Sequence, residues 1–398
     1  MASAARAATR SLLAAAPGSL PPDRWLTLSL LIAVGFTAWP QPHDASLSFF
    51  VLVIALVASL RFRLGVVALV ALFAVGVDLR LAEFGEVHSD VDEAIRGAIQ
   101  IARSGGNPYL VEGDEAASGS PIFPYGPLAL LWYAVLGDPR LQEGLVSVAM
   151  LALLAARGRP MGLALWATAP LAVQLAADGS NDHSMAVLLL TGLVVLERMP
   201  RAGAVVIGVA AGFKIYALAW LPPLFVWAGL QAAVAAVVAT LAVWLPAAVL
   251  WGPTNILRSF QAADAVHRIP YYSLGQLLRI HAPGEPLPRE ALNMFRLVAG
   301  TVTALVLAPF ARSHARVVVC GMLIYVVTLY AGFWSTPAYL IPLLLVLCWY
   351  LDVWLGPRDT ESSEDPTRVR WPRDPVGALT RAVDRRWPRV DAARIGDS

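Results

Sequence analysis

Runs of apolar residues close to the length of a bilayer crossing recur along most of this chain, among them "SFFVLVIALVASL" (48–60), "GVVALVALFAVGV" (65–77) and "LIPLLLVLCWYL" (340–351). A hydrocarbon core of about 30 Å takes roughly 20 apolar residues per helical crossing. Backbone groups in lipid must pair within their own segment, so such runs fold as helices. With 58% hydrophobic residues, 15% charged residues and a mean hydropathy of +0.63, the chain lacks the polar side chains to cover a water-soluble surface. The expected class is an all-α, polytopic integral membrane protein.

The runs expected to span are 25–40, 46–60, 64–83, 141–156, 161–177, 184–197, 231–251, 292–310, 317–333 and 338–355. Two further pieces, 126–137 and 203–226, do not fit as simple crossings, so the reading is about 10–12 transmembrane helices with half-helices between them. Arginine sets the orientation. "RFRLG" (61–65), "ARGRP" (156–160), "ERMPRA" (197–202), "ARSHAR" (311–316) and the tail all fall on one side if the amino terminus is cytoplasmic. Residues 1–24 then read as a cytoplasmic leader, 25–355 as the transmembrane domain and 356–398 as a charged, flexible cytoplasmic tail. The long loops 84–125 and 252–291 lie outside, where loops with their own polar residues carry function.

A net charge of +2, with the basic residues dispersed among loops, argues against a nucleic-acid partner. Cys320 and Cys348 sit inside apolar runs without ligand spacing, as small hydrophobes do. His88, His183 and His281 show no metal-triad spacing and read as polar loop residues.

Polar residues cluster at three places. In "HSDVDEAIRGAIQIARSGGNPY" (88–109), Asp90, Asp92 and Glu93 open a segment with apolar residues at Val91, Ala94, Ile95, Ala98, Ile99 and Ala102. That spacing predicts a helix on the bilayer surface, capped by Ser89 or Asp90. The acids then either complement the helix dipole or serve chemistry. In "ADGSNDHSMAVLLL", Asp178, Asn181, Asp182 and His183 stand between two spans, as ordinary turn chemistry or as a polar site. In "AAGFKIYALAWLPP", Lys214 is the single lysine; every other one of the 30 basic residues is arginine. An ionised side chain among apolar residues costs about 2.5–3.5 kcal/mol on the insertion scale, so Lys214 either snorkels to an interface or faces a partner. A compact ammonium suits a phosphate or a carboxylate.

The ordered set "sDv…GGNPY…YGPL", "GSNDH", "GFKIYALAWLPP" and "STPAYLIPLLLV" resembles the polytopic sugar transferases of the glycosyltransferase-C superfamily over roughly residues 60–355. Within it, the chain is most similar to the prokaryotic polyprenyl-phosphate-dependent mannosyl- and arabinosyltransferases, glycosyltransferase family 87-like. The resemblance implies a cell-membrane enzyme with its active site on the extracytoplasmic side. It would move a mannose- or arabinose-class sugar, with inversion, from a polyprenyl-phosphate donor to a glycan or glycolipid acceptor of the cell envelope. Asp90 matches the loop aspartate that would act as general base, and Asp92 stands close behind it.

A positioned carboxylate that takes the acceptor proton is worth about 10²–10⁴-fold. The departing phosphate needs a fixed cation, for which Lys214, Arg268 and Arg279 are candidates. Tyr109, Tyr216, Asn181 and Asp182 complete the expected substrate-binding set. Tyr109, Tyr125, Tyr271, Tyr272 and Trp334 would stack on sugar faces or form an interfacial belt. Asp90-Val91-Asp92 mimics the metal-binding pair of soluble nucleotide-sugar transferases, but a lipid phosphate carries less charge than a diphosphate, so neither metal nor cofactor is expected. The rival class is a transporter or lipid flippase in which Lys214, Asp178 and Asp182 form a relay.

Overall fold

A computed structural model describes residues 22–38, 45–62, 65–86, 90–111, 122–266, 269–282, 284 and 288–356. Among these the fold is all-helical and contains no strand. Helices α1 (Pro22–Ala38), α2 (Ser46–Phe62) and α3 (Gly65–Glu83) precede α4 (Val91–Arg103), α5 (Pro127–Ala134) and α6 (Pro139–Ala156). Next come α7 (Pro160–Thr168), α8 (Pro170–Asp178), α9 (Asp182–Leu196) and α10 (Pro200–Ala210), then a 3₁₀ segment, Ile215–Trp220. The chain continues through α11 (Leu221–Trp251), α12 (Pro253–Val266), α13 (Leu274–His281), α14 (Arg289–Leu307), α15 (His314–Tyr330) and α16 (Leu340–Leu355).

Five stretches among the described residues are long and apolar enough to cross a membrane: Gly65–Glu83, Pro139–Ala156, Ile215–Trp251, Arg289–Phe310 and Pro337–Trp354. A sixth exists if the broken pair α7 and α8 counts as one. This is fewer than the 10–12 expected. Helices α1, α2, α9, α10 and α15 are apolar but run only 10–17 residues over their apolar part. The run 161–177 also differs from expectation, because Pro170 has no N–H to donate and α7 ends before it. Within α11, Gly229 adopts φ 81° and ψ 178°, a conformation closed to other residues, and breaks the helix there.

Contacts divide the chain into two units. The first, among the described residues, comprises 22–79, 151–170 and 347–356. In it α1 packs on α2 and α7, and Asp352 of α16 supplies the cap that the start of α7 lacks. Its Oδ1 accepts from the Met161 N–H (3.1 Å) and the Trp25 indole (2.6 Å), and its Oδ2 accepts from the Gly162 N–H (2.8 Å). A carboxylate at a helix start satisfies orphan donors and meets the positive end of the dipole.

The second unit, among the described residues, comprises 80–150 and 171–346. Here α10 packs between α9 and α11, and α15 packs on α14 and on the 3₁₀ segment. The predicted half-helix exists as α5, eight residues long. Its entry strand runs against the end of α10. Gly126 N–H donates to the Phe213 carbonyl (2.8 Å) and Leu128 N–H to the Gly212 carbonyl (3.1 Å). Only glycine permits this approach, since a Cβ on residue 126 would overlap the Gly212 carbonyl. Gly126→Ala is expected to cost about 1–3 kcal/mol through forced displacement of that backbone, read as a lower thermal midpoint in detergent.

Candidate functional site

The residues that flank the Gly126 crossing are Tyr125 on one side and Lys214 on the other, so a backbone contact brings a loop tyrosine to the single lysine. Tyr125 is held further by its neighbours. Tyr109 donates its hydroxyl to the Tyr125 carbonyl (3.0 Å), and its ring packs on Phe123 (5.3 Å) and Trp251 (5.7 Å). Asn107 bridges the same region, donating to the Trp251 carbonyl (3.0 Å) and accepting from the Tyr109 N–H (3.0 Å). Ser259 of α12 donates to the Phe123 carbonyl (2.7 Å). The "GGNPY" stretch thus fastens the segment after α4 to the end of α11, and Tyr109, fully buried, is a support for Tyr125.

Lys214 is buried, with 8% of its surface exposed, and donates from Nζ to Asp182 Oδ1 at 2.6 Å. Ser180 donates to the other oxygen of Asp182 (3.2 Å). The ammonium lies 5.6 Å from the centre of the Tyr125 ring and 5.3 Å from that of Tyr339, within range of the electron-rich faces of both. Tyr216 packs edge-on against Tyr339 at 5.2 Å, and Trp334 meets Tyr339 at 6.5 Å. Desolvation pushes the Tyr125 hydroxyl well above its ordinary range, and the charge of Asp90 adds to the effect, followed by Asp182, Tyr216 and Asp178. The charges of Asp90 and of Asp182 thus both bear on the Tyr125 hydroxyl.

The two loop acids differ. Asp90 occupies the N-cap position of α4, is exposed, and makes no side-chain cap bond. Asp92 is buried on the inner face of α4 with Ala94, Ile95, Ala98 and Ile99. Arg96 holds both of its oxygens at 3.0 Å, and Arg140 forms an ion pair with it at 3.2 Å. Arg96 and Arg140 also line a surface cavity of about 580 Å³ with Asp92, Glu93, Gly97 and Gln100. Arg103, in the last turn of α4, donates to the Ala134 carbonyl of α5 (2.8 Å), so the end of α4 is tied to the half-helix.

Asp182 joins the Lys214 group at the α8–α9 junction, where Asp178, Ser180, Asn181, Asp182 and His183 are all buried. His183 is not the polar loop residue expected: it lies in the first turn of α9, with Nε2 3.1 Å from the Ala172 carbonyl. Arg279 is exposed in the last turn of α13, and no hydrogen bond or ion pair among the described residues links it to Lys214. Arg268, His88 and Ser89 lie outside the described residues. No group of three His, Cys, Asp or Glu side chains among the described residues is arranged to hold a metal.

The residue that sequence reasoning missed is Glu143 of α6, fully buried. Its Oε2 accepts from the backbone N–H groups of His183 (2.9 Å) and Ser184 (3.1 Å), and its Oε1 accepts from the Tyr133 hydroxyl (2.6 Å) and the Ser184 hydroxyl. Four donors converge on one carboxylate, which caps α9 from another helix. An acid within an otherwise apolar run was the available signal. Glu143→Gln keeps the shape but turns an N–H₂ toward donors; the expected result is a loss of about 1–3 kcal/mol, seen as a lower thermal midpoint.

Comparison with protein-family models, with curated proteins and with solved structures finds no match for this chain.

Proposed function

We propose that the chain is a membrane glycosyltransferase, with Asp90 as general base and the Lys214 group as the seat of the donor phosphate. The observation that supports this most is the convergence on Tyr125: Asp90 is the charge that most affects its hydroxyl, while Lys214 lies 5.6 Å from its ring. An exposed, uncapped carboxylate at the mouth of α4 would serve as proton acceptor, and a cation fixed between two tyrosine rings as anion stabiliser, for one bound substrate. Lys214 has three N–H donors and Asp182 takes one, which leaves two for phosphate oxygens. Tyr216 and Tyr339 offer ring faces to a sugar. Asp92, held by two arginines, fits a structural part, and the base assignment rests on Asp90 alone.

The donor is a mannose- or arabinose-class sugar on a polyprenyl phosphate, the acceptor a glycan or glycolipid, and the site faces the extracytoplasmic side. Short apolar helices such as Ser46–Arg61 and His314–Tyr330 act as further crossings in this reading. The test is incubation of the purified protein with radiolabelled polyprenyl-phosphate mannose or arabinose and an alkyl mannoside acceptor. Labelled, elongated glycoside supports the assignment; no product with either donor removes it.

The buried Lys214–Asp182 pair also fits a transporter, since intramembrane charge pairs mark substrate and proton paths. Counterflow of the intact lipid-linked sugar in proteoliposomes, without turnover, would favour that second reading.

A further inference from the structure

Asn181 stands at the N-cap of α9, where an asparagine ordinarily accepts a hydrogen bond from the N–H of the second or third helical residue. Those residues are His183 and Ser184, and Glu143 already holds both of their N–H groups. The usual work of the cap residue is done by a carboxylate on another helix. Asn181 is left with 0% exposure, and among the described residues neither its Nδ2 nor its Oδ1 has a hydrogen-bond partner. A buried carboxamide with both ends unsatisfied costs stability, and native proteins keep such groups where a bound molecule completes them.

We infer that Asn181 is a recognition residue whose carboxamide reads two adjacent hydroxyls of the transferred sugar, one accepting from Nδ2 and one donating to Oδ1. The inference rests on the transferase reading for the identity of the ligand. Its position supports this: the next residue, Asp182, carries the bond to Lys214, so a sugar beside a phosphate seated on Lys214 lies along the same turn. A cation at this turn is disfavoured, because the Lys214 ammonium already takes Asp182. Capping from a distance by Glu143 frees Asn181 for a ligand.

The test replaces Asn181 with leucine, which has the same branching and the same number of side-chain heavy atoms but no polar groups. Thermal midpoints are read in detergent without ligand, with polyprenyl phosphate, and with polyprenyl-phosphate mannose. Without ligand, Asn181→Leu is expected to melt about 2–4 °C above wild type, because an unsatisfied polar group has been removed. In wild type the sugar-bearing lipid should raise the midpoint further than the bare lipid phosphate. In the variant the two lipids should act alike, with affinity for the sugar-bearing lipid down about 10–100-fold.

A variant that melts lower or fails to accumulate would show that internal bonds hold the carboxamide, and would overturn the inference. So would a sugar-dependent increment absent from wild type or retained in the variant. The assignment of Asp90 is read separately: Asp90→Asn should keep the sugar-dependent increment while losing transfer. A retained rate in Asp90→Asn, with the increment still lost in Asn181→Leu, would remove the base and leave the sugar site standing.

Discussion

Asp90→Asn is expected to lower the rate of sugar transfer by about 10²–10⁴-fold while leaving the thermal midpoint close to wild type. The two parts of this expectation come from the same geometry. The Asp90 side chain is exposed and makes no cap bond, so an amide of the same shape removes no stabilising contact. A carboxamide cannot take the acceptor proton, so the loss falls on the chemical step. Because the charge of Asp90 acts on the Tyr125 hydroxyl, the variant should also ease ionisation of that tyrosine. The measurement is initial rate against donor concentration: loss in kcat with KM nearly unchanged fits a base, whereas loss confined to KM would assign Asp90 to binding and end the proposal.

Asp92→Asn serves as the control and should behave in the opposite way. Its carboxylate is buried between Arg96 and Arg140, so removing the charge loosens α4 from the start of α6 and lowers stability. Catalysis in the fraction that stays folded should persist. A pair of acids two residues apart in sequence thus separates into one free for chemistry and one committed to structure. The reason is helical: Asp92 points to the same face as Ile95 and Ile99, while Asp90 stands at the helix mouth.

That separation is where the sequence stops being legible. The apolar spacing of 91–102 located the helix α4, and the short run after "YGP" located the short helix α5, because both signals are local. The same spacing sets Asp92 on the face of Ile95 and Ile99 but does not reveal what offsets its burial there, two arginines, one of them 48 positions away at Arg140. The α8–α9 junction read as a turn or as a polar site, and no local signal showed that its polar residues are buried. Glu143 is 40 residues from the helix it caps, a relation that no periodicity within either segment records. The number of full-length crossings differs from expectation for another reason: five of the apolar runs form helices of only 10–17 residues, and hydropathy does not record where a helix ends inside an apolar run.

Lys214→Met is expected to cost about 3–5 kcal/mol of stability, because it leaves Asp182 buried and charged with only Ser180 donating to it. The methionine fills much the same volume, so the loss reports the orphaned carboxylate and not a cavity. The further change Asp182→Asn in the Lys214→Met background removes that charge and should recover most of the loss. A double-mutant cycle on thermal or denaturant unfolding measures this directly, with a coupling energy of a few kcal/mol expected between the two positions. Donor binding should not recover with stability. The double variant keeps the fold of the junction but has no ammonium between Tyr125 and Tyr339, so its affinity for polyprenyl phosphate should stay low. If the double variant bound the lipid phosphate as wild type does, the pair would be a fold element alone, and the anion would have to be held elsewhere. If binding is lost while stability returns, the cation that holds Asp182 at rest is also the one that meets the phosphate.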